Sequence, residues 1–272
     1  MPRGTAHAVL GRPPYPMPTP VSSDNTSPEL LARAATVAVL PIGGTEQCGP
    51  KLPCLTDSLI AGHCATYYAG ALGAYLAPLL PFNTSQEHAA FPGTISLTAP
   101  LLTSVVTELV TELARQGYNK IVITSPHGGS MWLPAFIRTI NHGRRDLVVI
   151  SSQVNAERSH AKALAACGWT KPFEMHGGLF SVASVAYLRP ELVRPGTAGR
   201  PIEPRLKEFS SYMVWDKIAP DGAWGEFTAA DEAIDLPRLG RTYWETYLPA
   251  QAAEIRAHMR TAAELRGIPW DE

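Results

Sequence analysis

Short unbroken apolar runs alternate with longer periodic segments along most of this chain. Thr36 to Ile42 (TVAVLPI) is continuously apolar with β-branched residues, the pattern of a strand buried on both faces. Lys120 to Ser125 (KIVITS) and Asp146 to Ser151 (DLVVIS) have the same character. Between them lie helical segments. Asp57 to about Leu72 reads as a helix capped by Asp57 or Thr56. Leu101 to Arg115 is amphipathic and stops at Gly117, and Met131 to His142 follows the second strand. Phe180 to Leu188 is a further apolar segment, Arg194 to Asp221 reads as long Pro- and Gly-rich loops, and Arg241 to Arg266 as a terminal helix. The strand–helix–strand rhythm predicts an α/β fold, with a mostly parallel sheet covered by helices on both faces. Residues 1–28 are rich in Pro, Ser and Thr and are expected to form an irregular arm, with residues 29–272 as one domain.

Composition narrows the class. The 272 residues are 45% hydrophobic and 17% charged with a net charge of −1, so neither a nucleic acid nor an anionic membrane is implied as partner. No apolar run approaches the roughly 20 residues that span a bilayer. The first residues are too polar and Pro-rich for a secretory leader, so the four Cys at 48, 54, 64 and 167 are expected to be reduced thiols of a cytoplasmic protein.

Candidate chemistry sits where the strands end. Glu46 and Asp57 follow the first strand, and His127 follows the Lys120–Ser125 strand. Ligands of open α/β sheets bind outside the carboxyl ends of the strands. Two carboxylates and an imidazole gathered there can hold one divalent metal such as Zn, Mn or Fe, with an open position for a water. Spacing alone makes this a weak signal.

Longer motifs make it specific. The stretch LPIGGTEQCGPKLPCLTD (Leu40 to Asp57) resembles the LPxGSxEQHGPHLPLxTD signature of the creatininase family of amidohydrolases. EHAAFPGTISL (Glu87 to Leu97), SPHGGS (Ser125 to Ser130), EMHGGLFSVASVAYLRPELV (Glu174 to Val193) and GAWGEFTAADEA (Gly222 to Ala233) follow in the family's order. The resemblance implies a three-layer αβα sandwich, a homo-oligomer that is often a hexamer, and metal-dependent hydrolysis of C–N bonds in small or cyclic amides. On these positions it implies one metal on Glu46, Asp57 and His127, and a proton-shuttling role for His176.

The departures concern the family's second metal. Its His ligand is Cys48 here, the His-Gly-Gly loop carries Gly129 where an acid can stand, and Leu179 and Ser181 occupy the other acidic positions. Cys48 with Asp57 makes only two protein ligands, with Glu174 a conceivable third. The ligand count favours one ion, over no metal and over a rebuilt pair. Lys51, where the family has a second His, offers an ammonium beside the vacated position to steady an oxyanion, and Cys48 is a candidate ligand or nucleophile. His88, Ser130, Ser181 and Trp224 are expected to contact a small-molecule substrate; Trp132, Trp169 and Trp215 also fall near matched loops. The expected reaction is hydrolysis of a small cyclic amide, lactam or formamide. The alternatives are a repurposed, metal-free cyclisation, elimination or condensation in specialised metabolism, and a non-catalytic homologue.

Overall fold

A computed structural model describes residues 20–171, 174, 176–199, 205–206, 209 and 213–270. Five strands form one sheet in the order β1-β3-β2-β4-β5, every pair parallel. They are β1 (Val21–Ser22), β2 (Val37–Pro41), β3 (Tyr75–Leu76), β4 (Lys120–Thr124) and β5 (Val148–Ser151). The helices are α1 (Ser27–Arg33), α2 (Thr56–Leu72), α3 (Ala99–Arg115), α4 (Leu133–Gly143), α5 (Ala156–Ala166), α6 (Leu179–Leu188) and α7 (Leu236–Glu264).

Side-chain alternation along the strands builds the layers. Val37, Val39, Val122, Val148 and Ile150 pack with α2, α5, α6 and α7. Ala38, Leu40, Ile121, Ile123 and Val149 point the other way, onto Leu102, Val106 and Val110 of α3 and Phe136 of α4. The result is the expected three-layer αβα sandwich, with the apolar runs as its central strands.

Several expectations change. Residues 1–19 of the proposed arm lie outside the described residues, while Val21–Ser22 joins the sheet edge and α1 begins at Ser27. The first residue of α2 is Thr56 and its cap is Leu55, so Asp57 is free to turn away from capping. The terminal helix begins five residues earlier than expected, at Leu236. Asp235 caps it by accepting from the Arg238 N–H, and Pro237 suits its first turn. No helix among the described residues is long and apolar enough to cross a membrane.

This topology places the site. From β2 the chain leaves to α2 on one face, and from the adjacent β4 it leaves to α4 on the other. Their carboxyl ends therefore diverge and leave a crevice, the usual binding position of doubly wound sheets.

Candidate active site

The loop after β2 returns to α2 through close backbone packing. A Cβ on Gly43 would lie 2.4 Å from Ser58 Oγ, so glycine lets the strand end meet the helix start. Ser58 Oγ donates to the Gly44 carbonyl at 2.7 Å, and the Glu46 N–H donates to Cys54 O at 2.9 Å. These bonds set Glu46 and Asp57 side by side.

His127, three residues past β4, completes the group. Its Nδ1 lies 3.2 Å from Asp57 Oδ2 and 3.5 Å from Glu46 Oε1, while its Nε2 donates to the Thr84 carbonyl at 2.8 Å. A carbonyl can only accept, so the proton is fixed on Nε2 and Nδ1 is directed at the carboxylates. Glu46 Oε2 is buried without a hydrogen-bond partner among the described residues. Burial, reinforced by the Asp57 charge, pushes the Glu46 carboxyl well above its usual range. Burial acts to raise Asp57 too, but its hydrogen bond to His127 and the His127 charge outweigh it and hold Asp57 at about 2. Burial would lower His127, yet the facing Glu46 and Asp57 raise it to about 10. A buried carboxylate with one orphaned oxygen and the other facing an imidazole nitrogen, next to a second carboxylate, is a donor set that fits a divalent ion, which would replace the proton on Nδ1.

Two more histidines face Glu46 with opposite polarity. His176 Nε2 donates to the Gln47 carbonyl at 2.7 Å, which leaves its Nδ1 lone pair 3.6 Å from Glu46 Oε1. His88 is held the other way. The Gln47 side chain accepts from the Gly49 N–H at Oε1, so its Nε2 is the donor, to Gly222 O at 2.9 Å and to His88 Nδ1 at 2.8 Å. His88 must then carry its proton on Nε2, which lies 3.7 Å from Glu46 Oε1. Glu46, His88 and His176 have ligand-type atoms close enough to one another to resemble a second metal group. The His88 tautomer argues against that: an N–H, not a lone pair, faces the centre. Burial, helped by the neighbouring His176 and His127, holds His88 down to about 2, and burial lowers His176 as well, so burial works against the charged form of both rings. They stack at 4.4 Å, and Trp215 closes over them at 4.5 Å and 5.3 Å.

The other expected residues divide. Lys51 lies away from the crevice. Its ammonium donates to the Arg194 and Gly196 carbonyls and sits 4.2 Å over the Phe227 ring, so it ties two loops together instead of facing an oxyanion. Cys48 lines the cavity, and burial, then the charges of Asp57, Glu46 and Glu174, push its thiol well above the usual range. Neither metal-type group among the described residues includes it. Glu174 is committed elsewhere. It accepts from the Gly178, Phe180 and Ser181 N–H groups and from Ser181 Oγ, capping α6. Ser181 lines the cavity with its hydroxyl engaged by that carboxylate. Ser130 Oγ is turned to Ser125 and Asn83, outside the cavity lining. Trp224 is buried behind the site and pairs with the His176 backbone in both directions, at 2.9 Å and 2.7 Å. Trp215, Met131, Glu87 and Phe180 also line this cavity of about 220 Å³. Gln47 was absent from the expected set. Its place between Glu46 and Cys48 was visible, but its partners lie 41 and 175 residues away.

A carboxylate–imidazole cluster at the switch point of a parallel αβα sandwich defines a class of α/β proteins with enzyme-type sites. The chain belongs to the creatininase family: the family described as creatinine amidohydrolase matches residues 23–248. Among curated proteins, it is 32% identical over 144 residues to the mycofactocin precursor peptide peptidase of Mycolicibacterium smegmatis, covering 50% of this chain and 58% of that one. It is 29% identical over 180 residues to the creatinine amidohydrolase of Pseudomonas putida, covering 60% and 68%. The chain thus spans less than two thirds of the mycobacterial relative. Among solved structures, a mutant creatininase complexed with creatine superposes with a TM-score of 0.71 at 25% identity, covering 89% of this chain and 99% of that one. A manganese creatininase gives 0.68 at 24%.

Proposed function

We propose that this chain is a one-metal amidohydrolase that cleaves the C–N bond of a small amide. The observation that carries the reading is Glu46, whose Oε1 lies 3.5 Å from His127 Nδ1 and whose Oε2 is orphaned, gathered with Asp57 at the carboxyl ends of β2 and β4. Glu46, Asp57 and His127 would hold Zn, Mn or Fe. Such an ion, when bound, acidifies a water and polarises a carbonyl. The Thr84 carbonyl orients His127 for that task.

The two imidazoles divide the proton work. His176 Nδ1 presents a lone pair and takes a proton from the attacking water, then returns it to the leaving nitrogen. His88 Nε2 presents an N–H and donates to the oxygen that gains charge, the role first assigned to Lys51. Trp215 limits water around both rings. The curated relatives named above act on creatinine and on a precursor peptide, both through C–N amide bonds, which supports the reaction class. The family resemblance extends the reading to a homo-oligomer, tested by sedimentation velocity.

The direct test is metal analysis by plasma mass spectrometry before and after chelation, beside a Glu46→Gln control. One equivalent in the wild type, lost in the control, is the expected result. No metal after reconstitution overturns the proposal, and two equivalents overturn its stoichiometry.

A further inference from the structure

A second cavity, of about 330 Å³, opens on the α2/α7 face of the same sheet end. It shares Ile60, Pro126 and Phe180 with the metal-type cavity, so the two spaces adjoin. Tyr68, Phe180, Tyr243, Trp244 and Tyr247 give it an aromatic wall. Aromatic faces and edges of this kind receive another ring or an apolar group. Ser152, Gln153, Glu157 and His160 add polar groups to the lining, and Thr124 adds one of a different kind. Thr124 ends β4, three residues before His127, and alternation from Val122 turns its side chain to this face. Thr124 is 1% exposed and borders the cavity, and its buried hydroxyl has no hydrogen-bond partner among the described residues. Buried hydroxyls are rarely left in that state without a ligand or water to bond.

Size gives an independent reason for an occupant. Small-molecule sites run from about 300 to about 1,000 Å³. The metal-type cavity, at about 220 Å³, has room for the reacting amide and little more. The remainder of a larger substrate needs a neighbouring space, and the aromatic cavity adjoins it.

We infer that the aromatic cavity is a substrate subsite for an aromatic ring bearing a polar substituent, with Thr124 Oγ1 bonding that substituent while the attached amide enters the site of Glu46, His127 and His176. The inference rests on the proposed amidohydrolase reading and adds a substrate class: amides carrying a substituted aryl group.

Binding tests it without turnover. The probes are acetamide, N-acetylphenylalaninamide and N-acetyltyrosinamide, titrated by calorimetry into the intact protein. Burying the ring predicts that both aryl amides bind at least about tenfold tighter than acetamide. The Thr124 hydrogen bond predicts a further advantage of about 2- to 10-fold for the tyrosine amide. Thr124→Val, which keeps the strand-favouring shape, should erase that second advantage alone. Ala156→Trp, which projects into the cavity from the first residue of α5, should abolish the aryl preference. Metal content should stay at the wild-type value in both variants. Equal binding of all three probes overturns the inference, as does an aryl preference that survives Ala156→Trp. A change of oligomeric state in Ala156→Trp, with probe affinities untouched, would reassign the surface to a second copy of the chain and also overturn it. Aryl binding without any hydrolysis or metal would leave the subsite standing and remove the amidohydrolase reading instead.

Discussion

Replacing Glu46 by Gln separates a carboxylate held for a metal from one that holds up the fold. Glu46 is buried, and its Oε2 lacks a hydrogen-bond partner among the described residues. An unsatisfied buried polar atom costs about 1–3 kcal/mol. Without metal, burial and the Asp57 charge favour the protonated carboxyl, whose nearest shape is the Gln amide. Glu46→Gln should therefore leave the chelated protein within about 1 kcal/mol of the wild type, against the several kcal/mol expected when a buried charged partner is lost. The loaded protein should respond differently. A ligand at 100 times its dissociation constant stabilises by about 2.7 kcal/mol, and each kcal/mol moves Tm by about 2–4 °C in a chain of similar size, so metal should raise Tm by roughly 5–10 °C. The assay is thermal unfolding of chelated protein titrated with Zn or Mn, wild type beside variant. The wild type should show the rise, and Glu46→Gln should show little or none from an equal starting Tm. A chelated variant more than about 5 °C below the wild type would refute the reasoning, because Glu46 would then be a structural partner of His127.

Three further outcomes follow from the same geometry. Burial holds His63 down to about 4, so between about pH 6.5 and pH 4 the unfolded chain gains a proton there that the folded chain refuses; stability falls with pH across that window by on the order of 3 kcal/mol. His63→Gln should remove that part of the slope in unfolding curves taken from pH 7 to pH 4, and an unchanged slope would contradict it. Gln47→Glu puts an acceptor at His88 Nδ1 and moves the proton off Nε2; activity should fall about 10- to 100-fold, with the ¹⁵N shifts of His88 exchanging character, and unaltered shifts would count against the tautomer argument. Gly129→Glu should not build a second metal position. Its Cβ would fall 2.1 Å from Thr84 O and 2.4 Å from His127 Nε2, at a cost of about 1–3 kcal/mol or more, and a stable variant with two ions would disprove this.

The central strands were legible because each face of them is buried, which leaves no polar position in Val37–Pro41 or Val148–Ile150. Phe180 to Leu188 was legible as apolar but not as a helix. Leu179–Leu188 is buried nearly all round, and a segment without a polar side has no period to read. The two-residue strands β1 and β3 carry no pattern at all. The start of α7 was hidden because Pro237 and Gly240 interrupt a helical pattern in sequence, although Pro suits the first turn and Gly240 packs against the Ala183 carbonyl. In the site, Glu46, Asp57, His127 and His176 were legible by residue type and motif, and they do converge. Side-chain direction was not. Spacing put Lys51 next to Cys48 along the chain, but its ammonium follows carbonyls 143 and 145 residues away. The proton position on His88 depends on Gln47 and Gly222, which no local pattern couples.

The close fit at Gly129 also sets the order of any redesign. A side chain placed at position 129 meets the Thr84 carbonyl and the His127 ring before it meets anything in the cavity. The same carbonyl accepts the proton of His127 Nε2 and so fixes that ring. An engineer who wants a carboxylate on this loop must move Thr84 first, and so free His127 to turn. Loop shape and ring orientation are thus one design variable, and neither can be changed alone.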